Sequence, residues 1–480
     1  MPTGGSFEFG PFVLDPHTRR LTRGDEPILL THHQFELLHC FVSAKPRTLF
    51  TKDQLIKRVW GRVVSDNNVE KAVLEVRRAL DPTHRDSHIK GIRGAGYQFI
   101  VEVTESPADS KSQALSEELE PFLAFREGRA FLQALTADEI ARGRALFEKL
   151  ARSYPGDATF LVGLATACSL QYEMTRTDER PDTAALGSAE TYAEDARQIA
   201  SEYAEARATL GFIFAQKGDL DSALAALQKA TTLETDNWLH WLRLASCCGG
   251  EQRLRAARKV LKWMPEYPMA RVLAATVFIA RGMLAEAERE IDLAIVQMRS
   301  TFGAGTRFSC VAVYWIKGLL CLARGNEAEA IAAFEEELAL ESRGHLYARE
   351  CCANVWYAIG VCRMRQGDPV AARAAFEEAL TRVPRHPMAR VGLLLLMPRE
   401  ARPPLPDLQV TSMDAAIANA AALAANDDVA GAVTLLCAAL NALPKDSAGG
   451  WQIPVEPLLA IQRAPEAWAD VLTTLRGRAM

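Results

Sequence analysis

The first hundred residues change their hydrophobic rhythm twice. Over residues 7–30, "FEF", "FVLD", "RRLTR" and "ILL" are short apolar or alternating runs parted by Gly10-Pro11, Asp15-Pro16 and Gly24-Asp25. That pattern predicts four short strands joined by turns. The period then lengthens. Phe35, Leu38, Phe41 and Val42 in "LTHHQFELLHCFVS" recur at helical spacing, as do Leu55, Ile56, Val59 and Trp60 in "FTKDQLIKRVW". Each stretch opens on a threonine (Thr31, Thr51) with a glutamine three residues on (Gln34, Gln54). This is the capping-box pattern, in which the two side chains satisfy N–H groups that a helix start leaves orphaned. A third helix is predicted over "SDNNVEKAVLEVRRALD" (65–81), where Val69, Val73, Val76 and Leu80 fall on one face. Asp66 or Asn67 caps it and Asp81-Pro82 ends it. In "HIKGIRGAGYQFIVEV" the rhythm returns to alternation, with Tyr97, Phe99, Val101 and Val103 on one side of a strand. Gly94 and Gly96 permit the tight turn of a hairpin.

A polar stretch, "TESPADSKSQALSEE" (104–118), follows and reads as a linker. Beyond it the chain is rich in Ala, Leu and Glu, shows no strand pattern, and repeats itself. Gly211, Gly218, Ala223, Leu227 and Ala230 mark one helical hairpin. The same offsets recur as Gly318, Gly325, Ala330 and Phe334, as Gly360, Gly367, Ala372, Phe376, Ala379 and Pro384, and as Ala275, Gly282, Ala287, Ile291 and Ala294. Ala432, Leu436, Ala439 and Pro444 fit the second half of a further unit. Small residues let two antiparallel helices approach, and a large residue four positions on fills the groove between them. With a period near 34 residues the pattern resembles the tetratricopeptide repeat. The match is strongest over 204–235, 311–342 and 353–384, fair over 238–300 and 413–444, and degenerate over about 120–201, where "TRTDERPDTAALG" interrupts it. About eight units are expected, stacked on a continuous core with a concave, partner-binding surface. "ARPPLPDLQ" (401–409) reads as an extended connector. "GGWQIPVEPLL" (449–459) reads as a cap on the end of the solenoid, or as a place where Trp451 anchors a partner.

The N-terminal stretches "LTHHQFELLHCFVSAKPRTLFTKDQLIKRVWG", "NNVEKAVLEVRRALD" and "IKGIRGAGYQFI" together resemble the OmpR-type winged-helix domain. The expected fold is therefore an α+β winged helix-turn-helix domain (1–103), a linker (104–118) and an all-α tetratricopeptide-repeat solenoid with a C-terminal cap (119–480). The combination resembles soluble transcriptional activators of the HilA-like kind. That resemblance implies a cytoplasmic regulator of promoter activity, of virulence or secretion genes in the HilA-like case. It implies double-stranded DNA as one partner, and a protein, a peptide or a second protomer in the repeat groove as the other. Dimers or tandem arrays on DNA are the expected assembly. No receiver domain is seen ahead of the DNA module, so direct phosphorelay control is not expected.

In that family the third helix enters the major groove and the hairpin is a wing laid in the neighbouring minor groove. With the valines inward, the outward positions are Asn67, Asn68, Lys71, Leu74, Glu75 and Arg78. Asn pairs with adenine, Glu accepts from cytosine and Leu touches a thymine methyl. Arg77, Arg62 and Lys90 are expected at phosphates, with Arg78 sharing that role. Arg93, at the wing tip, matches the family's minor-groove arginine. Leu74 and Glu75 stand where many relatives carry basic residues. Glu75 is thus either a base contact or the partner of Lys71 or Arg78 on a solvated face. The alternative function is an interaction scaffold whose winged helix contacts protein.

Charge supports the division. Residues 1–103 hold 15 Lys/Arg against 12 Asp/Glu, and the remainder 40 against 48. A small basic module on an acidic body suits nucleic-acid binding. Ten cysteines lie without a C-x-x-C or zinc spacing and read as buried thiols. His32-His33 diverge around a first helical turn and make no metal site. "GIRGAG" lacks the Lys-Ser/Thr and helix of a phosphate loop. No cofactor, metal, catalytic set or membrane span is expected.

Overall fold

In a computed structural model, residues 6–16, 20–24, 26–28, 30–60, 66–81, 87–105, 110–301, 310–398, 400, 402, 412–444 and 446–480 are described. They form two compact units. The first comprises Met1–Gln133 and Arg142–Pro155, with Ala304–Arg307, and the second the rest.

In the first unit, strands β1 (Phe7–Phe9), β2 (Phe12–Asp15), β3 (Arg20–Arg23) and β4 (Glu26–Ile28) make an antiparallel sheet. Alternation puts Phe7, Phe9, Phe12, Leu14 and Leu21 in its core. Pro27 lies in the edge strand β4, where its missing N–H is tolerated. Helix α1 (His32–Val42) buries Phe35, Leu38, Phe41 and Val42, the four positions its spacing predicts. Strand β5 (Leu49–Phe50) precedes α2, which is α-helical only over Lys52–Leu55 and widens into a π-turn over Ile56–Trp60. Leu55, Ile56, Val59 and Trp60 are nevertheless all buried, and Trp60 stacks on His33 at 5.5 Å. Helix α3 (Asp66–Leu80) is followed by β6 (Ile89–Ile92) and β7 (Gly96–Phe99), which form a second sheet in the order β5-β7-β6.

The stretch expected to be a linker departs from that expectation. Thr104–Glu105 is β8, paired with β1 at the edge of the first sheet, and Ser110–Ala134 is one helix, α4. Polarity suggested a linker, but Ser, Gln, Leu, Ala and Glu are compatible with helix once packing is supplied. The Arg126 guanidinium of α4 donates to the carbonyl of Arg58 at 2.6 Å and stands 3.9 Å from the Glu36 carboxylate. The first compact unit accordingly runs to Gln133 rather than ending at 103.

Helix α5 (Ala137–Ser153) pairs with α4, the Phe147 ring lying against Gly128. Seven further hairpins follow among the described residues of the second unit: α6 and α7 (Ala158–Thr175, Thr183–Ile199), α8 and α9 (Ala204–Gln216, Leu220–Leu233), α10 and α11 (Trp238–Cys247, Gly250–Trp263), α12 and α13 (Pro268–Ala280, Leu284–Thr301), α14 and α15 (Val313–Ala323, Glu327–Ala339), α16 and α17 (Ala348–Arg365, Pro369–Arg382), and, after the single helix α18 (Pro387–Leu395), α19 and α20 (Met413–Ala424, Val429–Ala442). Helix α21 (Ala469–Ala479) ends the chain. The repeat offsets have the geometry predicted for them. Gly211 faces Leu227, Gly318 faces Phe334, and the Phe376 ring is held between Gly360 and Gly392. Between the paired helices Gly218, Gly282, Gly325 and Gly367 all take positive φ, from 74° to 84°. The aspartate after Gly218 and after Gly367 caps the next helix through its carboxylate.

The first helices of successive hairpins pack on one another from α6 through α8, α10, α12, α14 and α16 to α18. The second helices have no comparable succession, so the row of first helices is the inner wall of the curve. The interruption at "TRTDERPDTAALG" has a job within this unit. Arg349 of α16 donates to Met174 O at 3.2 Å and Thr177 Oγ1 at 2.9 Å and pairs with Asp178 at 2.7 Å, while Arg385 reaches Glu179 O at 2.8 Å. The loop after α6 thereby meets α16, five hairpins further along the chain.

Candidate nucleic-acid interface

Helix α3 is held in a fixed roll. Val69, Ala72, Val73, Val76 and Leu80 are buried, as the spacing requires. Charges on the flanks are tied to neighbouring elements. Glu70 pairs with Lys52 of α2 at 2.5 Å. Glu75 accepts a hydrogen bond from Gln34 Nε2 of α1 at 2.7 Å. Arg77 Nε donates to the Ile89 carbonyl of β6 at 2.9 Å, and its guanidinium lies 5.9 Å from the Tyr97 ring centroid. Opposite the buried side, Lys71 and Arg78 are exposed and Leu74 is half-buried between them, in one stripe at i, i+3 and i+7.

Two residues expected to face DNA have partners within the fold. Glu75 was placed outward by helical phase, either as a base contact or paired with Lys71 or Arg78. It is half-buried and turned towards α1. The same Gln34 amide serves both ends: its Oε1 accepts from the Thr31 N–H at 2.8 Å while its Nε2 donates to Glu75. Arg77, expected at a phosphate, braces the hairpin through its Nε–H to the Ile89 carbonyl. Neither tie has a sequence signal, because the partners are 41 and 12 residues apart. The capping box that positions α2 was legible. Gln54 N–H donates to Thr51 Oγ1 at 3.2 Å and Thr51 N–H to Gln54 Oε1 at 3.0 Å. Asn67 and Asn68 stand in the first turn of α3. Their side chains, and all of Arg62, lie outside the described residues.

The hairpin turn closes through Ala95 N–H to Ile92 O at 3.0 Å, with Gly94 at φ +73°. Lys90 and Arg93 are exposed on it. Gly96 is required for a different reason: a Cβ there would collide with the Phe50 carbonyl, so only glycine lets β5 lie this close to β7. His88, at the base of the hairpin, sits among Phe9, Phe12 and Phe99, and burial lowers its pKa.

Residues 25–99 match the family described as "Transcriptional regulatory protein, C terminal", and residues 204–237 and 353–386 match tetratricopeptide repeat families. The N-terminal unit is an OmpR/PhoB-type winged helix. The body carries tetratricopeptide repeats. Phosphate regulon transcriptional regulatory protein PhoB of Escherichia coli is 35% identical over 88 residues, 18% of this chain and 38% of that protein. Response regulator MprA of Mycolicibacterium vanbaalenii is 38% identical over 91 residues, 18% of this chain and 39% of that one. The chain thus spans about two fifths of these relatives, and the likeness is confined to the winged helix. A monomeric mutant of IFIT1 with Gppp-AAAA superposes over 87% of this chain and 92% of its own with a TM-score of 0.50 at 12% identity, a likeness of fold alone. In the winged-helix layout, α3 is the third helix and β6–β7 the hairpin that follows it.

The transcription-factor and tetratricopeptide families are non-enzymatic. Among the described residues, no group of three His, Cys, Asp or Glu is placed to hold a metal ion, and no helix is long and apolar enough to cross a membrane. The cysteines are free thiols, and burial pushes those of Cys247 and Cys248 up to about 12, far from a reactive thiolate.

Proposed function

We propose that this chain is a transcriptional regulator that reads duplex DNA with α3 and its wing and engages a protein partner through its repeats. What supports the reading is the sorting of charges on α3. Glu70, Glu75 and Arg77 are committed to the fold, while the stripe of Lys71, Leu74 and Arg78 points away from it with the basic wing beside it. In the major groove, Lys71 and Arg78 reach guanine edges or phosphates, Leu74 meets a thymine methyl, and Asn67 and Asn68 lead at the N-terminal end. Arg93 enters the adjacent minor groove and Lys90 takes a backbone phosphate. Glu75 is turned towards Gln34, so its carboxylate is directed away from the stripe of Lys71, Leu74 and Arg78.

The test is titration of the full chain with fluorescent duplexes across a salt series. The logarithm of affinity is expected to fall linearly with log salt, with a slope of about −0.9 for each phosphate contacted. Arg93→Ala is expected to weaken binding roughly tenfold, chiefly on A·T-flanked sites, by analogy with the ~1–3 kcal/mol carried by one good contact. Binding that ignores salt, or none to any duplex, overturns the reading in favour of a winged helix that contacts protein.

A further inference from the structure

We infer that residues 446–480 are an internal ligand of the repeats, seated along their inner wall, and that an outside partner is captured at this face by displacing them. The inference rests on the repeats being a partner-binding body and is independent of DNA recognition. The chain does not stop at the eighth hairpin. Ser447 forms an antiparallel bridge with Cys248 at the end of α10, and the Gly249 N–H donates to the Asp446 carbonyl at 2.5 Å. Trp451 then sits edge-on to Trp315 of α14 at 5.9 Å. The turn Ile453–Val455 packs on α12 and α14, and the Glu456 carboxylate accepts from the Tyr357 hydroxyl of α16. The segment therefore touches four consecutive first helices, reaching α10 at its C-terminal end, and its own helix α21 packs on α11, α12 and α20.

Three features set it apart from the repeats it touches. Up to α21 it is built of short turns at Ile453–Val455, Ile461–Arg463 and Pro465–Trp468, with prolines at 454, 457 and 465, and no helical hairpin. The wall holds it partly by its main chain: Arg365 donates to the Pro457 carbonyl, and Arg281 to the Ala479 carbonyl through two hydrogen bonds of 2.9 and 2.8 Å. Main-chain capture plus side-chain pockets is how peptide-binding surfaces hold extended ligands. Finally, it follows the last of the hairpins, so its departure leaves the order of the repeats intact. Ile453 and Val455 are almost fully buried. A displacing partner must therefore offer the same chemistry: an aromatic residue, then an aliphatic–Pro–aliphatic run ending in a carboxyl group.

The test uses the full chain and a fluorescein-labelled synthetic peptide of residues 449–463. In wild-type protein, amides of 446–468 are expected to exchange with deuterium at least tenfold faster than those of α12 and α14. Trp451→Ala in the full chain is expected to raise peptide binding at least tenfold over wild type. Exchange of the segment at the rate of α12 and α14 would show that it opens only with global unfolding and would overturn the proposal. So would a folded Trp451→Ala chain that does not bind the peptide. Should that variant fail to fold, the wild-type exchange rates decide alone. DNA titration of the same preparation reports separately on the winged helix.

Discussion

The two units treat their functional faces in opposite ways. On α3 every flanking charge is committed to a neighbour, and the stripe of Lys71, Leu74 and Arg78 is left uncovered. On the inner wall of the repeats the surface is covered by the chain's own end, through Trp451, Glu456 and the carbonyls of Pro457 and Ala479. One face is ready for a ligand of opposite charge, because exposed charge costs little to keep in water. The other is apolar where Ile453 and Val455 are buried, and an open apolar surface favours association.

The largest test of this contrast lies in what builds the inner wall. Phe376 is fully buried between Gly360 and Gly392, joining α16, α17 and α18. Phe376→Ala is expected to destabilise the repeat unit by about 3–5 kcal/mol, the loss of a buried aromatic plus its cavity. Chemical denaturation followed by circular dichroism measures it. A loss under about 1 kcal/mol would mean that the knob is not what holds the hairpins together.

Next in size is a pH effect on the covered face. Burial raises the Glu456 pKa to about 7; Asp414 of α19 adds to the rise, while the Tyr357 hydroxyl, the Leu458 N–H and the Arg365 guanidinium of α16 oppose it. A group with a raised pKa in the docked state binds more protons there than when released. Its contribution is therefore complete below the ordinary carboxyl range and is lost as pH climbs to about 7. Between pH 5 and 8 the segment is expected to loosen by about 2.5 kcal/mol. Glu456→Gln should flatten that slope. The difference between wild type and variant isolates Glu456 from His345 and His386, whose pKa values burial lowers to about 4 and whose effect runs the other way. A profile that the variant leaves unchanged would remove Glu456 as the latch.

Smaller again is Arg77→Ala, which asks whether the flank of α3 belongs to the fold or to DNA. Loss of a charged hydrogen bond to Ile89 should cost about 1.5–3 kcal/mol of stability. The salt slope of DNA binding should stay as it is. A slope shallower by about one unit would return Arg77 to the phosphate contacts.

Periodicity carried most of the architecture. The three helices, the hairpin and the repeat units all rest on local spacing of apolar and small residues, and Phe35, Val73, Phe334 and Phe376 are buried where that spacing puts them. What spacing could not carry were pairings between distant residues. Helical phase alone points Glu75 outward; a glutamine 41 residues earlier turns it in. The interruption after α6 looked like a defect in the repeat and is the loop that meets Arg349 and Arg385. "GGWQIPVEPLL" looked like an end cap, and nothing local told that Ser447 would lie beside Cys248 or that Ala479 would reach Arg281. The connector "ARPPLPDLQ" lies outside the described residues apart from Arg402, which donates to the Leu395 and Met397 carbonyls.

The smallest effect concerns the eighth hairpin, on which the covering segment follows. Gly218, Gly282, Gly325 and Gly367 supply the positive φ between paired helices, but Asp427 holds that place between α19 and α20, at φ +67°. Its neighbour Asp428 caps α20 through Gly431 N–H at 2.8 Å, so the cap does not depend on Asp427. A side chain in the left-handed region costs roughly 1–2 kcal/mol that glycine avoids, less for aspartate, and glycine gives part of it back by loosening the unfolded chain. Asp427→Gly is therefore expected to stabilise the repeat unit by about 0.5 kcal/mol, a net of those two terms. Denaturation midpoints at constant m-value would show it. Destabilisation instead would mean that the Asp427 carboxylate contributes more to the turn than its backbone strain removes, and that this hairpin differs from the others by selection of a contact and not by drift from glycine.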